Sequence, residues 1–274
     1  MANPWIAPDG ARSGSKSEVL AAFLNQTLSE LVASCLRGGE VSPRCDVALL
    51  GYHGRVVRSL WPGGEADRPL RSITEAAALP RTRREVVRMV PAPDGSEYEM
   101  KTVQPVWVEP HAASFTPMPE AFRRAREIVE AWVAEPSHEN SYPPIVFHIT
   151  DGEPQDLEAA IREAEALRAI RTRDGGVLLV TLHIPDAEDA VPEVLFPASE
   201  DQLPADPAGA RFLYRMSSPL PPELLEEAMG ARLPVRRGSR LLLLNADGRN
   251  VIRLLNFATV GQTAKTGSKR TLEI

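Results

Sequence analysis

One short stretch, residues 143–154, constrains the possible fold more than any other part of the chain. Five of the six residues from 145 to 150 are β-branched or aromatic. A near-continuous run of this kind is typical of a strand buried on both faces of a parallel sheet. Asp151 and Gly152 then turn the chain at the carboxyl end of that strand. In open α/β sheets, this is the edge where ligands bind.

Helical and strand patterns alternate along the rest of the chain. Apolar residues at three- and four-residue spacing predict helices at 19–36, 119–132, 157–170, 208–216, 222–229 and 248–257. Buried-strand patterns lie at 45–52, 177–184 and 241–245, and 85–90 and 97–108 form a hairpin pattern around Asp94-Gly95. This order predicts an α/β fold: a three-layer, doubly wound, mostly parallel sheet covered on both faces by helices.

The domain organisation follows from the same patterns. Residues 1–16 are expected to be a flexible N-terminal segment, and residues 261–274 a disordered tail. Between them, residues 17–260 are expected to form one domain. That domain carries two insertions, the β-hairpin at about 84–109 and a proline-rich segment at about 185–239.

Composition excludes several classes of protein. The chain has 274 residues and a formal net charge of −6, which argues against a general nucleic-acid-binding role. No apolar run is long enough for a membrane span, and no signal pattern is present at the N-terminus, so a cytoplasmic protein is expected. The two cysteines, Cys35 and Cys45, are expected to be reduced thiols, because two cysteines do not make a disulfide framework.

Four segments, taken together, resemble the von Willebrand factor A domain in its bacterial intracellular form. The helix at 17–36 followed by CDVALLGYHG is similar to that family's first helix and second strand. FTPMPEAFRRAREIVEAW resembles its threonine loop and following helix, PPIVFHITDGEP its fourth strand and acidic turn, and LLLLNADGRNVIRLLNF its closing strand and helix. The resemblance covers most of residues 17–258.

The resemblance implies a metal-ion-dependent adhesion site at the carboxyl edge of the sheet. In that family, Mg²⁺ is held by an Asp-x-Ser-x-Ser motif, a threonine and an aspartate, all oxygen donors that suit a hard cation. Thr116 matches the threonine and Asp151 the aspartate. Ser13 and Ser15 match the two serines if residues 11–15 are a degenerate copy of the first motif.

The first motif is where the sequence departs from the family. In one register, Ala11 stands in the aspartate position; in the other, Met1 is the methionine that follows the motif, and the first strand lies upstream of it. The aspartate is missing in both registers. Loss of a charged ligand of a cation costs several kcal/mol by the scale of an uncompensated buried charge, which predicts weakened Mg²⁺ binding or none.

The resemblance implies a non-catalytic protein-interaction module. Its partner-binding residues would be Thr116, Asp151, Gly152 and Glu153, docking an acidic residue of another protein. Members of the family act as adaptors in bacterial multi-protein signalling, stress or defence systems, with protein kinases, metal-dependent phosphatases, or ATPases of the AAA+ or MoxR type. No Walker A motif, Gly-x-Ser-x-Gly elbow or zinc spacing is present in the sequence.

Two alternatives stay open at this level. Asp151-Gly152 is also a common turn pair, and His148 fits a core histidine with a satisfied hydrogen bond. The second functional hypothesis is a metal-dependent hydrolase on an α/β scaffold, with Asp151, Glu153 and His148 near the cation.

Overall fold

The computed structural model describes residues 16–54, 56–62, 68–91, 97–111, 116–151, 154–184, 192–204 and 207–245, together with Leu254. The predictions for residues 1–15, for the Asp94-Gly95 turn and for the tail at 261–274 lie outside these residues. The predicted last helix is described only at Leu254, which is helical and buried.

The helices and strands follow the chain in this order. The helices are α1 (Lys16–Ser34), α2 (Ile73–Ala78), α3 (Met118–Val133), α4 (Leu157–Ala169), α5 (Pro207–Met216) and α6 (Pro222–Gly230). The strands are β1 (Leu36–Arg37), β2 (Glu40–Val41), β3 (Asp46–Ala48), β4 (Leu50–His53), β5 (Val56–Ser59), β6 (Leu70–Ser72), β7 (Thr82–Pro91), β8 (Glu97–Val106), β9 (Ile145–Thr150), β10 (Arg171–Thr172), β11 (Gly175–Gly176), β12 (Leu178–His183), β13 (Val194–Leu195) and β14 (Leu242–Leu244). Two 3₁₀ turns lie at Pro136–His138 and Glu200–Gln202.

The chain divides into two compact units, and each is described by itself. The first, called the sheet unit, comprises the described residues within 50–58 and 112–262. The second, called the hairpin unit, comprises the described residues within 4–49 and 59–111.

The sheet unit is built on a four-stranded sheet in the order β13-β14-β12-β9. Strands β9, β12 and β14 are parallel, and β13 is antiparallel to β14. The protein is therefore a mixed α/β protein, as the alternation of patterns predicts. The finer expectation, a three-layer doubly wound sheet, stays a prediction.

Of the three parallel strands, β14 and β12 are buried and β9 is not. All three residues of β14 are buried, and β12 is the longer of the two buried strands. Five of its six residues are buried, and it pairs with a neighbour on each side. In β9, by contrast, Ile145, Val146, Phe147 and Ile149 are only half-buried. The expectation that residues 145–150 are buried on both faces is therefore wrong. The reason is that, among the described residues, β9 has a paired strand on one side only, so part of its apolar surface is left uncovered.

Hydrogen bonds fix which backbone groups of β9 face β12. Leu178 N donates to Pro144 O at 3.0 Å, and Ile184 N donates to Thr150 O at 2.9 Å. Because the bonding residues of a parallel strand alternate, the even-numbered residues of β9 bond β12. The odd-numbered residues present their N–H and C=O groups to the other side, where the Tyr52 hydroxyl donates to Ile149 O at 3.2 Å.

The core of the sheet unit lies between the sheet and its helices. Met118 and Phe122 of α3, Ile161 and Leu167 of α4, and Leu179 of β12 are all buried in it. Helix α4 begins at an N-cap, Asp156, whose carboxylate accepts from Ala159 N at 2.8 Å. An acidic cap of this kind satisfies a free N–H group and complements the positive end of the helix.

The predicted strand at 45–52 is divided between the two units. Its first part is β3, which pairs with β6 in the hairpin unit. Its second part is β4, which pairs with β5 in the sheet unit. The expectation of one continuous buried strand is wrong here, because a run of apolar residues does not show where a strand changes its partner.

The hairpin unit holds its own core, around α1 and α2. Trp61 and Trp107 are buried, and their indole N–H groups donate to Pro69 O at 2.8 Å and Ala76 O at 2.7 Å. Strands β7 and β8 pair antiparallel from Thr82↔Val106 to Pro91↔Glu97, which confirms the predicted hairpin. Cys35 and Cys45 are free thiols.

Asn25 of α1 fastens that helix to the end of β8. Its side chain is buried, and its amide Nδ2 donates to Val108 O at 2.8 Å. Its Oδ1 accepts from Trp107 N at 2.7 Å and from Val108 N at 3.0 Å. One side chain thus satisfies three backbone groups that would otherwise be buried without partners.

No helix within the described ranges is long and apolar enough to cross a membrane.

Candidate functional site

The carboxyl edge of the sheet in the sheet unit gathers several polar side chains. His183, at the end of β12, is in register with Thr150 of β9 and with Leu244 of β14. Asp151 directly follows β9, and Asn245 directly follows β14. The register therefore brings the ends of three parallel strands to one edge, as expected for the binding edge of an α/β sheet.

Asp151 is exposed, whereas Thr150 and His148 just before it are buried. The carboxylate of Asp151 therefore lies at the surface, and its backbone directly follows an ordered strand of the sheet. Its charge also acts on Tyr52, because it contributes to raising the pKa of that phenol.

His183 and Asn245 form a second polar pair along the same edge. The ring nitrogen Nδ1 of His183 lies 3.0 Å from Asn245 Oδ1, and Asn245 N donates to His183 O at 3.2 Å. Asn245 has a φ of 53°, a left-handed conformation that asparagine tolerates better than most residues. An amide oxygen only accepts, so the His183 ring carries its proton on Nδ1.

Beneath the edge, Tyr52 and His148 are hydrogen-bonded. The Tyr52 hydroxyl lies 3.1 Å from His148 Nε2, and it also donates to Ile149 O. A phenol has one proton, so both bonds form only if His148 Nε2 carries a hydrogen and donates it to the phenol oxygen. The other ring nitrogen, Nδ1, is then a bare acceptor, and it is buried with no partner among the described residues.

Burial keeps both of these groups neutral. It lowers the pKa of His148 to about 3 and raises the pKa of Tyr52 to about 12; a hydrogen bond from Thr150 works against the latter shift. In each case, the low dielectric of the interior disfavours the charged form. The pair is therefore a neutral support for the end of β9 at any pH near 7.

Helix α3 brings Thr116 toward the same region. Thr116 is half-buried and lies two residues before the helix, and its carbonyl accepts from Met118 N at 2.8 Å. Phe122, one turn into the helix, contacts the His148 ring, with 4.7 Å between ring centroids. The start of α3 therefore packs near the carboxyl half of β9.

Of the residues that the sequence singles out, the structure describes three at this region: Thr116, His148 and Asp151. Ser13, Ser15, Gly152 and Glu153 lie outside the described residues. His148 is buried as predicted, but only one of its ring nitrogens is satisfied. The sequence does not predict roles for Tyr52, His183 and Asn245, because nothing in their local sequence shows that Tyr52 bonds β9 or that His183 pairs with Asn245.

The oxygen donors of this edge are described only in part, because Ser13, Ser15 and Glu153 lie outside the described residues. The resemblance implies oxygen ligands from three loops, and the described residues supply the carboxylate of Asp151 and the hydroxyl of Thr116. Because Mg²⁺ in proteins commonly keeps several waters and takes only one or two carboxylates, weakened Mg²⁺ binding at this edge stays a prediction. Within the described part of the chain, no three His, Cys, Asp or Glu side chains are grouped so that they could hold a metal ion.

The sequence and the fold were compared with those of known proteins. No family model matches the sequence, and no curated protein or solved structure matches the chain. The resemblance to the von Willebrand factor A domain therefore stays an expectation from the residues quoted above.

Proposed function

We propose that the protein is a non-catalytic interaction module of the von Willebrand factor A type. It docks a partner protein at the carboxyl edge of the sheet, around Asp151 and the loop that precedes α3. By the same resemblance, it acts as an adaptor in a bacterial signalling, stress or defence system. The partner classes are then a protein kinase, a metal-dependent phosphatase, or an ATPase of the AAA+ or MoxR type.

The exposure of Asp151 is the observation that carries the proposal. A carboxylate at the surface that directly follows the buried Thr150, with the buried His148 two residues before that, is held in place by the strand beneath it. A partner that binds such a group loses little conformational entropy at this position, because the backbone is already ordered. The neutral Tyr52–His148 pair supports the same strand end.

The proposal assigns no step to a metal ion. The carboxylate of Asp151 then presents its own negative charge to the partner. An arginine, a lysine or a backbone N–H group of the partner would bind it through charge-assisted hydrogen bonds. This differs from the family pattern, in which a cation bridges to an acidic residue of the partner.

The state of His148 favours binding over catalysis. A general base must reach the proton that it abstracts and must have a pKa near the operating pH. His148 is buried, and its pKa is lowered to about 3. It therefore does not supply the base that the metal-dependent hydrolase alternative requires.

The test is a pull-down from the native host with wild-type protein and with Asp151→Asn, which removes the charge and keeps the shape. Asp201→Asn is the matched control, since Asp201 is an exposed aspartate elsewhere in the same unit. We expect partner recovery to fall at least tenfold with Asp151→Asn and to be unchanged with Asp201→Asn. Equal recovery with both variants would show that docking does not use this edge.

A substrate screen tests the other half of the proposal. Phosphoester and peptide substrates are incubated with the protein, Mg²⁺ and Mn²⁺, and the expected result is no turnover above background. Turnover that Asp151→Asn abolishes would replace the interaction module with the metal-dependent hydrolase.

A further inference from the structure

Two arginines converge at the opposite, amino-terminal edge of the same sheet. Arg168 lies in the last turn of α4, and Arg240 lies just before Leu241 and strand β14. Arg168 Nη1 donates to Ser217 O at 3.3 Å, and Arg240 Nη2 donates to the same carbonyl oxygen. The next residue, Ser218, bonds Leu179 near the start of β12, which fixes the location of this cluster at the amino edge.

The cluster is positively charged and partly shielded from water. Within the described part of the chain, no carboxylate forms an ion pair with Arg168 or Arg240. Glu165 and Glu200 offset the charge only at longer range, and Glu200 is itself 3.8 Å from Arg211. Two cations that bond one oxygen repel each other strongly where the effective dielectric is low.

The titration behaviour of both groups agrees with this geometry. Burial lowers the pKa of Arg168, and the neighbouring charge of Arg240 lowers it further. Burial also lowers the pKa of Arg240. The buried Nε atoms of both side chains have no hydrogen-bond partner among the described residues.

Helix capping explains only part of this arrangement. Arg240 also donates to Arg215 O at 3.2 Å and lies over the Tyr214 ring, 4.8 Å from its centroid. Basic side chains commonly bond the last carbonyls of a helix in this way, here at the end of α5. A single carbonyl does not require a second guanidinium, however, so capping leaves Arg168 unexplained.

We propose that Arg168 and Arg240 form a binding site for a phosphate group. Neither Arg168 Nη2 nor Arg240 Nη1 bonds a backbone carbonyl among the described residues, so each guanidinium keeps one terminal nitrogen as a donor for an anion. Guanidinium groups match the tetrahedral oxygens of phosphate and bind them through two parallel hydrogen bonds. A carboxylate would neutralise one of the two cations, whereas a phosphate dianion neutralises both.

The site is independent of the docking edge. It uses α4, the end of α5 and the start of β14, and it shares no residue with the Asp151 region. If the docking proposal for the Asp151 region fails, the phosphate-site proposal is therefore unaffected, and the reverse also holds. The phosphate can belong to a small metabolite or to a phosphorylated side chain, and the two sources present the same dianion.

The experiment is isothermal titration calorimetry, in which sodium phosphate is added to the full chain at constant ionic strength and the heat of binding is measured. Arg168→Gln removes one guanidinium, and Arg168→Lys keeps the charge without the planar donors. The control is Arg162→Gln, an exposed arginine on the same helix. Arg240 is left unchanged because it also caps α5. Circular dichroism verifies that each variant is folded.

We expect saturable phosphate binding to wild type and to Arg162→Gln. Binding should be at least tenfold weaker in Arg168→Gln, with Arg168→Lys in between. Sulfate should compete, and acetate at equal concentration should not. Identical titrations for Arg168→Gln and Arg162→Gln, or equal binding of acetate and phosphate, would overturn the proposal.

Phosphoserine and a phosphoserine peptide distinguish the two sources of phosphate. If the peptide binds more tightly than inorganic phosphate, the natural ligand is a phosphorylated protein. If phosphate and phosphoserine bind equally well and the peptide adds nothing, the ligand is a small phosphate. Either result supports the site, and in either case the binding should be at least tenfold weaker in Arg168→Gln.

Discussion

The imidazole of His148 is buried in the sheet unit. One ring nitrogen bonds Tyr52, the other has no partner among the described residues, and the ring packs against Phe122. A proton added to this ring would create a buried charge with no carboxylate bonded to it. The folded protein therefore holds His148 in its neutral form well below pH 6.

This environment predicts a specific loss of stability in mild acid. The unfolded state binds a proton to His148 below about pH 6.5, whereas the folded state does so only near pH 3. The unfolded state thus binds more protons between these values, and stability falls as the pH falls. From pH 7 to pH 5, the loss should be about 2 kcal/mol. Urea denaturation at the two pH values measures it.

The matched variants isolate the contribution of this one residue. His148→Gln cannot take up the proton, so its unfolding free energy should differ less between pH 7 and pH 5. His111→Gln, at an exposed position, should keep the wild-type pH dependence. If His148→Gln shows the same pH dependence as wild type, the buried imidazole is not the group that titrates.

Several residue contacts had no signature in the sequence. Tyr52 and His148 are 96 positions apart, and Arg168 and Arg240 meet only through the carbonyl of Ser217. Periodicity reports which face of an element is apolar, and it carries no information on which distant side chain a polar group will find. The sequence therefore predicts that His148 is a core residue, but it does not predict that Tyr52 is its hydrogen-bond partner.

At the scale of elements, the local sequence pattern predicts a helix or strand correctly where the whole element packs against one set of neighbours. The amphipathic helices α1, α3 and α4, and strand β12, have the apolar spacing that predicts them. In the sequence, the β7–β8 hairpin has two extended runs on either side of the Asp94-Gly95 turn pair. The predictions failed where tertiary pairing decides, as in the division of residues 45–52 into β3 and β4 and in the half-buried state of β9.

Helix α1 depends on Asn25 for its attachment to the end of β8. Asn25→Ala removes three hydrogen bonds and leaves two N–H groups and one C=O group buried without a partner. Each such group costs about 1–3 kcal/mol, and partial relaxation makes the expected total loss roughly 2–4 kcal/mol. Chemical denaturation followed by tryptophan fluorescence measures it, since Trp107 is directly involved.

Gln26→Ala is the control for this prediction. Gln26 is next to Asn25 on α1 and is half-buried, and its side chain bonds Glu30 and Gln104. Because these partners are partly solvated side chains, the loss should be under about 1 kcal/mol. Equal losses for the two variants would mean that the bonds of Asn25 to Trp107 and Val108 do not hold the helix in place.

For the molecule as a whole, the missing aspartate of the first motif predicts weak affinity for divalent cations. A site with a dissociation constant of about 10 mM stabilises the fold by only about 0.4 kcal/mol at 10 mM Mg²⁺. We therefore expect thermal denaturation in MgCl₂, in EDTA and in NaCl of matched ionic strength to give nearly the same midpoint. A saturable Mg²⁺ shift that Asp151→Asn abolishes would contradict this expectation.

The division of the chain into two units has a consequence for synthesis on the ribosome. Strands β4 and β5 of the sheet unit emerge before most of the hairpin unit, and long before α3 and β9. An isolated pair of short strands is marginally stable in water, so β4 and β5 must stay unpacked while the chain between them and α3 is made. The hairpin unit can complete its core during that interval, so we expect it to fold first.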